Sequence, residues 1–438
     1  MTISRTREGT GFFCLKNHIA SRPVVDRKKK MVYNKIGVFL KGVKSVRIEI
    51  PEYVEKVMSR LEAFGKEAYI VGGGLRDSLL GKTPSDYDMT TSALPEEMLE
   101  IFADHRVIET GLKHGTLTVI SDGNPIEITT FRVDGGYTDS RHPDSVSFTR
   151  SLPEDLARRD FTVNAMAYNS RVGLVDRFGG IEDLDGKTIR AVGDPRKRFG
   201  EDALRIMRAF RFSAQLGFEI EGKTLEAAVE CRQGLSYIAS ERIFSELLRL
   251  LYSEHPENPL RQMRDGGILE IVLCGYSPSD RLLSLISSAP KSDAARLGLL
   301  LSEADAAKRK EILSFLKCSN KQKSGANAVA EGCCEKVWKK DEVSRFVSKY
   351  RDYAPDALCV SVLLGNSSSE APEMALKSDA PKSIKDLAID GSELISLGFK
   401  GRDVGSMLSI LFDMALDEPS INEKETLLKI AAEKRNSK

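Results

Sequence analysis

The sequence predicts an α+β head domain followed by an all-helical remainder. The chain has 438 residues, more than one compact core accommodates. Short apolar stretches with the alternation of strands occur up to about residue 180, whereas from Glu201 onward the apolar residues recur with helical spacing. Apolar residues make up 41% of the chain and charged residues 29%, so we exclude the disordered, collagen-like and fibrous classes.

Charge and cysteine content narrow the functional classes further. The 65 Lys and Arg residues nearly balance the 64 Asp and Glu residues, so a nucleic-acid partner needs a local basic patch. The seven cysteines are scattered and include no CxxC pair, which argues against a thiolate zinc site and favours a reducing, cytoplasmic location. No apolar run approaches the ~20 residues of a membrane span, so we expect no membrane partner.

Residues 1–46 form a basic extension that we expect to be disordered. Its first thirty residues contain eight Lys or Arg residues against Glu8 and Asp26, and they lack the apolar stretch of a secretory signal. Three interpretations remain open for this extension: an organelle-targeting peptide, a basic tail that touches RNA, or a translation start at Met31.

The head domain begins with a helix and a buried strand. Residues 51–64 carry apolar side chains at helical spacing, and the AYIV segment that follows is typical of a buried strand. Further strands are predicted at 117–120, 126–131 and 146–149, and the GLVDRFGG segment at 173–180 ends the domain.

A glycine-rich turn follows the AYIV strand. In the segment GGGLRD, the glycines allow backbone N–H groups to approach a phosphate, and Arg76 adds a positive charge. The Walker pattern would need glycine where Arg76 stands, and the dinucleotide pattern would need glycine where Asp77 stands. On its own, the segment is more typical of a tight strand-to-helix turn. Gly73 and Arg76 become candidate phosphate contacts because of the acidic pair that follows.

Asp86 and Asp88 are two residues apart on a predicted strand, so both carboxylates point to one face. Such a pair repels itself unless a cation lies between the two groups, and hard oxygen ligands at this spacing suit Mg²⁺. An isolated pair is usually a solvated turn, but its position one helix after a glycine turn favours a metal site. Glu127, which alternates with Ile126 and Ile128, is a candidate third ligand, although a solvent-facing or ion-paired glutamate is the commoner case.

A second polar cluster consists of Arg158, Arg159 and Asp160, which precede the apolar segment FTVNAMAYN. Guanidinium groups bind phosphate bidentately, and a neighbouring carboxylate accepts well from a ribose hydroxyl. The cluster therefore predicts a nucleotide contact. The alternative is a surface ion-pair cluster at the start of a helix.

The segment Glu201–Arg211 is predicted to be one amphipathic helix. Its apolar side chains fall on one face, Arg205 and Arg208 fall on the opposite face, and Asp202 and Arg211 lie at the edges. A solvated face usually mixes lysine with glutamate. A stripe of arginines without lysine instead favours recognition of a planar group.

Asp202 and Arg205 lie one helical turn apart and place an acceptor beside a donor fork. Cytosine presents an amino group next to ring N3, and adenine presents an amino group next to ring N1, so one Asp–Arg pair satisfies both bases. Uracil and guanine have the reverse polarity and leave buried groups unpaired, at ~1–3 kcal/mol each. We therefore predict that this pair selects C and A.

Taken together, the motifs resemble those of the class II tRNA nucleotidyltransferases of the polymerase-β superfamily, which comprise CCA-adding enzymes and related poly(A) polymerases. The similar segments are, in order within residues 66–252, VGGGLRDSLLG, SDYDMTT, GLKHGTLTV, IEITTFR, RRDFTVNA, GLVDRFGGIEDLDGKTIRAVGDP, EDALRIMRAFRF and ASERIFSELLRLL. So many motifs in one order make the resemblance specific.

The resemblance implies a head, a neck, a body and a tail, which we assign to residues 47–180, 181–252, 253–336 and 337–438. It implies that Asp86 and Asp88 bind Mg²⁺ and are catalytic in a two-metal transfer that adds C, C and A from CTP and ATP to the 3′ end of tRNA. The implied nucleotide contacts are Gly73 and Arg76 on the triphosphate, Arg159 and Asp160 on ribose and phosphate, Asp202 and Arg205 on the base, and Arg208 and Arg211 beside them.

Several alternatives remain. A poly(A) polymerase would resemble the family equally in most motifs, but those relatives carry an arginine-rich run where this chain has GLKHGTLTV. Addition of only A or only C residues is also possible, because the same Asp–Arg pair serves each activity. A non-catalytic RNA-binding scaffold is disfavoured because both Asp86 and Asp88 are present. The oligomeric state is not predicted.

Overall fold

The computed structural model describes residues 34–38, 46–135 and 146–436. Within the extension that we expect to be disordered, Asn34–Val38 instead forms a strand that pairs antiparallel with Val46–Ile50. The remainder of that extension lies outside the described residues, apart from the first residue of the second strand.

Strands are concentrated in the first half of the chain. In chain order they are β1 (Asn34–Val38), β2 (Val46–Ile50), β3 (Ala68–Val71), β4 (Asp88–Thr91), β5 (Arg106–Gly111), β6 (Thr116–Ser121), β7 (Asn124–Thr130), β8 (Arg132–Asp134), β9 (Val146–Phe148), β10 (Met166–Asn169), β11 (Gly173–Asp176), β12 (Thr188–Ile189) and β13 (Glu219–Ile220).

The central sheet has seven strands in the order β11-β10-β3-β4-β7-β6-β5. All neighbours are antiparallel except β4 and β7, which run parallel with Asp88 opposite Glu127. The predicted strands at 117–120 and 126–131 lie largely in β6 and β7. The predicted strand at 146–149 contains β9, which pairs with β8 in a separate two-stranded ribbon.

Helices flank the sheet and make up most of the remaining chain. They are α1 (Glu52–Ala63), α2 (Gly72–Leu79), α3 (Pro95–Ile101), α4 (Leu152–Ala157), α5 (Gly180–Asp185), α6 (Pro195–Glu201), α7 (Leu204–Leu216), α8 (Gly222–Glu230), α9 (Ser240–Leu251), α10 (Glu257–Asp265), α11 (Ile268–Val272), α12 (Asp280–Leu283), α13 (Asp293–Leu300), α14 (Ala306–Phe315), α15 (Asn320–Gly332), α16 (Lys340–Tyr350), α17 (Ala354–Leu363), α18 (Ala371–Leu376), α19 (Gly391–Ser396), α20 (Arg402–Asp417) and α21 (Lys424–Asn436).

The first helix shows how the sequence fixes an element of the head. Helix α1 starts after Pro51, has acidic residues in its first turn and Arg60 in its last, as the helix dipole favours. Its apolar stripe, including Val54 and Leu61, is buried against the sheet side of the head. The helix predicted over residues 51–64 is therefore confirmed.

The described residues contain three separate hydrophobic cores. A continuous core extends from the head through the helices to Ala375, and two smaller ones contain Tyr69, Phe131 and Leu156 in the head, and Leu387, Leu394, Leu411 and Leu427 near the end of the chain. The first and the last of these cores thus divide between Ala375 and Leu387, whereas the domain boundary at residue 336 stays a prediction. No helix in the described part of the chain combines the length and apolarity needed to cross a bilayer.

The predicted continuous helix over Glu201–Arg211 is wrong at its start. Helix α6 ends at Glu201, Asp202 takes an extended conformation, and α7 begins at Leu204. The break has a local cause, because the Asp202 carboxylate accepts a hydrogen bond from the backbone N–H of Leu204 at 3.0 Å. An aspartate in this role favours a helix start over a helix interior.

Candidate active site

The glycine-rich turn brings α2 against the segment that carries the acidic pair. Gly72, the first residue of α2, has φ of +71°, a conformation that side chains with a Cβ rarely adopt. A Cβ at Gly74 would lie 2.6 Å from the carbonyl oxygen of Asp86, which is a clash with backbone. Gly74 is therefore required for this close approach, a role that sequence inspection did not assign to it.

Asp86 and Asp88 lie close enough to repel each other, but Asp86 precedes strand β4, so the prediction that one strand carries both is wrong. Both side chains are exposed, while Tyr87 between them is buried. Strand β4 begins at Asp88, and the parallel pairing with β7 places Glu127 opposite it on the same face. Three carboxylates therefore lie at one end of the β4–β7 pair.

The acidic cluster is electrostatically unbalanced. Desolvation, followed by repulsion from Glu127 and Asp86, raises the pKa of Asp88 to about 6 from its ordinary value of 3.8, and attraction by Arg159 only partly offsets this. A divalent cation is the group that would relieve this repulsion. Among the described residues, no three Asp, Glu, His or Cys side chains form a complete metal-binding set. The acidic pair therefore fits an ion whose remaining ligands come from substrate and water, and Glu127 as a ligand stays a prediction.

Arg159 lies just after the end of α4, next to the acidic pair. A Cβ at Gly72 would lie 3.6 Å from Asp88 Oδ2 and 3.7 Å from Arg159 Nη1, so Gly72 separates the two charged groups. The Nε atom of Arg159 is buried and has no hydrogen-bond partner within the described residues. Arg159 thus has donor capacity left beside the carboxylates.

Asp155 holds the arginine pair in place. This carboxylate is fully buried and accepts hydrogen bonds from Arg158 at 2.8 and 3.0 Å and from Arg159 at 3.3 Å. The hydroxyl of Thr90 in β4 lies 3.3 Å away. Burial favours the neutral acid, but the two guanidinium groups outweigh burial and lower the pKa of Asp155. Asp155 therefore ties the arginines to the strand that carries Asp88.

Asp160 forms an ion pair with Arg208 of α7. Its carboxylate accepts two hydrogen bonds from Arg208, at 2.8 and 2.5 Å, and one from the backbone N–H of Phe161. Burial would raise the pKa of Asp160, but attraction by Arg208 dominates and lowers it to about 2. The predicted ribose acceptor is therefore already half of a buried ion pair.

Asp202 and Arg205 do not contact each other through their side chains. The Arg205 guanidinium donates to Glu201 Oε2 at 2.8 Å and to the backbone carbonyls of Arg198 and Arg158 at 3.1 and 3.0 Å. Asp202 Oδ2 lies 3.6 Å from Arg242 on α9. Arg205 is buried, whereas Asp202 is partly exposed. The two groups remain one turn apart, with Arg205 fixed and Asp202 loosely paired.

The aromatic ring of Phe212 contacts three arginine side chains. The guanidinium carbons of Arg76, Arg208 and Arg211 lie 5.2, 5.2 and 4.0 Å from the centre of its ring. Arg211 also pairs with Glu246 of α9, with 2.6 Å between Nε and Oε2, and burial lowers the pKa of Arg211 to about 10. Sequence inspection treated Phe212 only as part of a motif, yet its ring connects α2 with α7 through cation–π contacts.

The guanidinium of Arg76 is already hydrogen-bonded within the protein, which the sequence did not indicate. Its Nε donates to Asp77 Oδ1 at 2.9 Å and its Nη1 donates to Asn164 Oδ1 at 2.8 Å, and the residue is buried. Asn164 lies in the predicted RRDFTVNA segment, so the glycine turn and that segment meet at Arg76. Gly73 lies one turn before it, and a Cβ there would find ordinary contact distances.

Comparison with known proteins places this geometry in a family. A profile described as "Poly A polymerase head domain" matches residues 68–190, and one described as "Probable RNA and SrmB- binding site of polymerase A" matches residues 217–278. The CCA-adding enzyme of Limosilactobacillus fermentum is 37% identical over 389 residues, which is 87% of this chain and 96% of that protein. The chain belongs to the CCA-adding enzyme family.

Further relatives agree with this placement. The CCA-adding enzyme of Pediococcus pentosaceus is 35% identical over 385 residues, covering 86% of this chain and 96% of that protein. The crystal structure of the Bacillus stearothermophilus CCA-adding enzyme in complex with CTP is similar with a TM-score of 0.75 and 30% identity, covering 88% of this chain and 98% of that one. The predicted resemblance, the α+β head with a helical remainder and the nucleotidyltransferase class are thereby confirmed, while the roles of single residues stay predictions.

Proposed function

We propose that this chain adds C, C and A to the 3′ end of tRNA from CTP and ATP without a nucleic-acid template, releasing pyrophosphate. The observation that carries the proposal is the meeting of Asp86 and Asp88 with the first turn of α2 and with Arg159, beside the arginines of α7. Relatives that span nearly the whole chain are named CCA-adding enzymes, and one similar structure contains CTP.

In the proposed reaction, the oxygen of the tRNA 3′-hydroxyl attacks the α-phosphorus of the incoming nucleotide. One P–O bond forms to the tRNA as the P–O bond to the β-phosphate side breaks, the hydroxyl proton passes to solvent, and pyrophosphate leaves. Reactions of this class depend mainly on alignment and on stabilisation of charge. The residues of this chain supply both.

Asp86 and Asp88 are the residues that would hold divalent ions, and we propose Mg²⁺, with two ions in the working enzyme. When bound, such ions lower the pKa of the attacking hydroxyl and stabilise the charge of the leaving pyrophosphate. Mg²⁺ is commonly bound by one or two carboxylates together with water and substrate phosphates. The exposed pair at the start of β4 has this composition.

We propose that Gly73, Arg76 and Arg159 lie along the triphosphate. The first N–H groups of α2 have no partner within their helix, and the helix dipole favours an anion there. Arg159 retains a buried N–H donor beside Asp88. Asp160, held by Arg208, would accept from the ribose with its remaining lone pairs.

We propose that Asp202 and Arg205 read the base. Arg205 has five N–H donors, and its three contacts with Glu201, Arg198 and Arg158 leave donors for cytosine N3 or adenine N1. Asp202 is free to accept from the amino group because its ion pair with Arg242 is long, at 3.6 Å. Because its three contacts hold the Arg205 guanidinium in place, its donors would not adapt to a base of the other polarity. Arg208 and Arg211 extend this nucleotide site.

We place the reaction in the cytoplasm, with tRNA as the partner of the helical half of the chain. The cysteines that the structure describes are all free thiols, as a reducing compartment requires. The principal alternative is poly(A) synthesis, which the description of the matched head profile favours. Addition of only A or only C residues is the other alternative.

The deciding experiment extends three end-labelled tRNAs that stop before CCA, after C and after CC. Each is incubated with Mg²⁺ and with CTP, ATP or both. With both nucleotides present, we expect each tRNA to be completed to CCA and to stop there. Long tails with ATP alone would show a poly(A) polymerase, and a single working step would show partial activity; no incorporation with any tRNA would refute the proposal.

A further inference from the structure

The only tryptophan of the chain lies in an unusual place. Trp338 is 59% exposed, although tryptophan is among the residues with the highest average burial. It stands in the short connection between α15 and α16, outside both segments that the family profiles match. The arrangement of catalytic residues does not explain an exposed indole here.

Hydrogen bonds hold the backbone on both sides of the indole. Val337, immediately before it, is buried, and its backbone carbonyl accepts from the N–H of Ser368 at 3.0 Å. The N–H groups of Trp338 and Lys339 both donate to Glu342 Oε2, at 2.7 and 2.9 Å. These backbone bonds lower the pKa of Glu342. The exposed ring is thus attached to backbone that is bonded on either side.

Two exposed lysines, Lys336 and Lys339, flank the ring. Neither forms a salt bridge with an acid whose side chain the structure describes, although the Glu342 carboxylate attracts Lys339 electrostatically. The nearby Glu335 is paired with Lys349, at 2.5 Å, and Glu342 accepts from backbone N–H groups. The surface formed by Lys336, Trp338 and Lys339, called here the Trp338 surface, combines an aromatic face with two lysine ammonium groups.

Another exposed aromatic residue provides a contrast. Phe64, at the end of α1, has the same exposed fraction of 59%. Its neighbour Lys66 is paired with Glu97 at 2.6 Å, so the charge next to that ring is neutralised. Exposure alone is common on protein surfaces. The combination with two exposed lysines that form no salt bridge to a described acid is what distinguishes Trp338.

We propose that the Trp338 surface binds RNA, with the indole stacked on an unpaired nucleobase of tRNA and the two lysines on the flanking phosphates. Aromatic rings stack on any base, and lysines attract the backbone, so this composition suits an unpaired stretch of nucleic acid. The charge of the surface favours RNA over an apolar protein partner. The inference rests on the proposed function, because it assigns a contact to its substrate.

The indole itself reports on the proposed contact. Because Trp338 is the only tryptophan, the tryptophan emission of the full chain comes from this position alone. We expect tRNA to quench this emission along a saturable curve that weakens with salt, whereas CTP or ATP alone leaves it unchanged. Binding of tRNA, measured by gel shift, without any change in emission would overturn the inference.

Substitution separates stacking from general exposure. We expect Trp338→Ala to weaken tRNA binding about 10-fold, Trp338→Phe to weaken it less because a ring is retained, and Phe64→Ala to leave it unchanged. The rate of CMP addition at saturating tRNA should not change, and thermal unfolding confirms that each variant is folded. Wild-type affinity in Trp338→Ala would refute the contact.

Two further outcomes distinguish the inference from the proposed function. Emission that depends on protein concentration without RNA, together with elution as a dimer, would assign the surface to a second copy of the chain and overturn the inference. A protein that extends tRNA without responding at Trp338 would refute only this contact. A protein that binds tRNA through Trp338 but adds no CMP would refute only the proposed function.

Discussion

The acidic end of β4 and the arginine network around α4 and α7 have opposite electrostatic designs. At β4, Asp88 faces Glu127 and Asp86, and its pKa rises to about 6 because of desolvation and like charge. In the network, Asp160 is buried against Arg208 and its pKa falls to about 2. We call the first region incomplete, because Arg159 offsets its negative charge only in part, and the second complete, because Arg208 balances Asp160 within the protein. The sequence alone made both look like ligand contacts.

The largest effect is expected at the incomplete region. Asp86→Ala and Asp88→Ala should each lower nucleotide incorporation at least about 1,000-fold, because the charge that would hold the divalent ion is lost. Affinity for tRNA should stay nearly the same, since phosphate contacts elsewhere dominate it. Single-turnover CMP incorporation and gel shift measure the two quantities.

Glu127→Gln is the matched test of the third carboxylate. If Glu127 only faces solvent, incorporation should remain near wild type; a loss as large as that of Asp88→Ala would make it a ligand. An Asp86→Ala protein that incorporates CMP at the wild-type rate would contradict the assignment of the metal-binding pair.

The next effect is expected at the complete region, where Asp155 compensates two arginines. Asp155→Asn should lower the free energy of unfolding by about 3 kcal/mol, because breaking a buried pair leaves charge uncompensated. Urea unfolding measures this difference. The matched control is Asp104→Asn, which removes a carboxylate paired with Arg60 at the surface and should hardly change stability.

If Asp155→Asn and Asp104→Asn lowered the free energy of unfolding by similarly small amounts, Asp155 would not be the residue that holds the arginine pair in place. A further readout comes from activity. If the Asp155→Asn variant keeps measurable activity, its KM for CTP should be raised, because Arg159 would no longer be held beside Asp88.

The sequence predicts a structural feature well when that feature depends on the periodicity of neighbouring residues, and less well when it depends on particular contacts. The helix α1 and the strands β6 and β7 follow from periodicity, which needs only neighbouring residues. The break at Asp202 does not, because a helical wheel assigns a face to every residue and ignores a carboxylate that binds the next N–H groups. A periodic pattern identifies the helix but not its start.

The site shows the same limit at longer range. The spacing of Asp86 and Asp88 was sufficient to predict that their carboxylates lie near each other, although only Asp88 belongs to a strand. One partner of Arg205, in contrast, is the backbone carbonyl of Arg158, 47 residues away in sequence, and no local pattern indicates that contact. Asp155 had one usable signal, its separation of three and four residues from Arg158 and Arg159, which is typical of ion pairs on a helix.

A smaller effect is the pH dependence of the free energy of unfolding, which has opposite signs in the two regions. The pKa of Asp160 is about 2 in the folded protein and 3.8 ordinarily, so this group contributes about 2 kcal/mol above pH 4, and the contribution is lost as the pH falls toward 2. The pKa of Asp88 is raised instead, so its charge destabilises the metal-free fold increasingly from about pH 4 to pH 6.

The variants make this contrast measurable. In metal-free buffer at pH 7.5, Asp160→Asn should lower the unfolding temperature and Asp88→Asn should raise it. Added Mg²⁺ should reduce the advantage of Asp88→Asn, since the wild type alone gains a bound cation. Equal shifts in the same direction for both variants would contradict the opposite electrostatic designs of the two regions.

The smallest effect is expected at Asp202 and Arg205, the pair that we propose reads the base. Arg205 is buried and bonded to Glu201, so its replacement would disturb the fold, whereas Asp202 is partly exposed and loosely paired. Asp202→Asn replaces an acceptor by an amide that also donates, which suits O4 of uracil. We expect the preference for CTP over UTP to fall about 10-fold, as one lost polar discrimination predicts. Competition between the two nucleotides measures this ratio, and Arg242→Gln serves as the control that removes only the partner of Asp202. Unchanged selectivity in Asp202→Asn would mean that the base is read by other groups, and a collapse of stability would instead place Asp202 in the complete network.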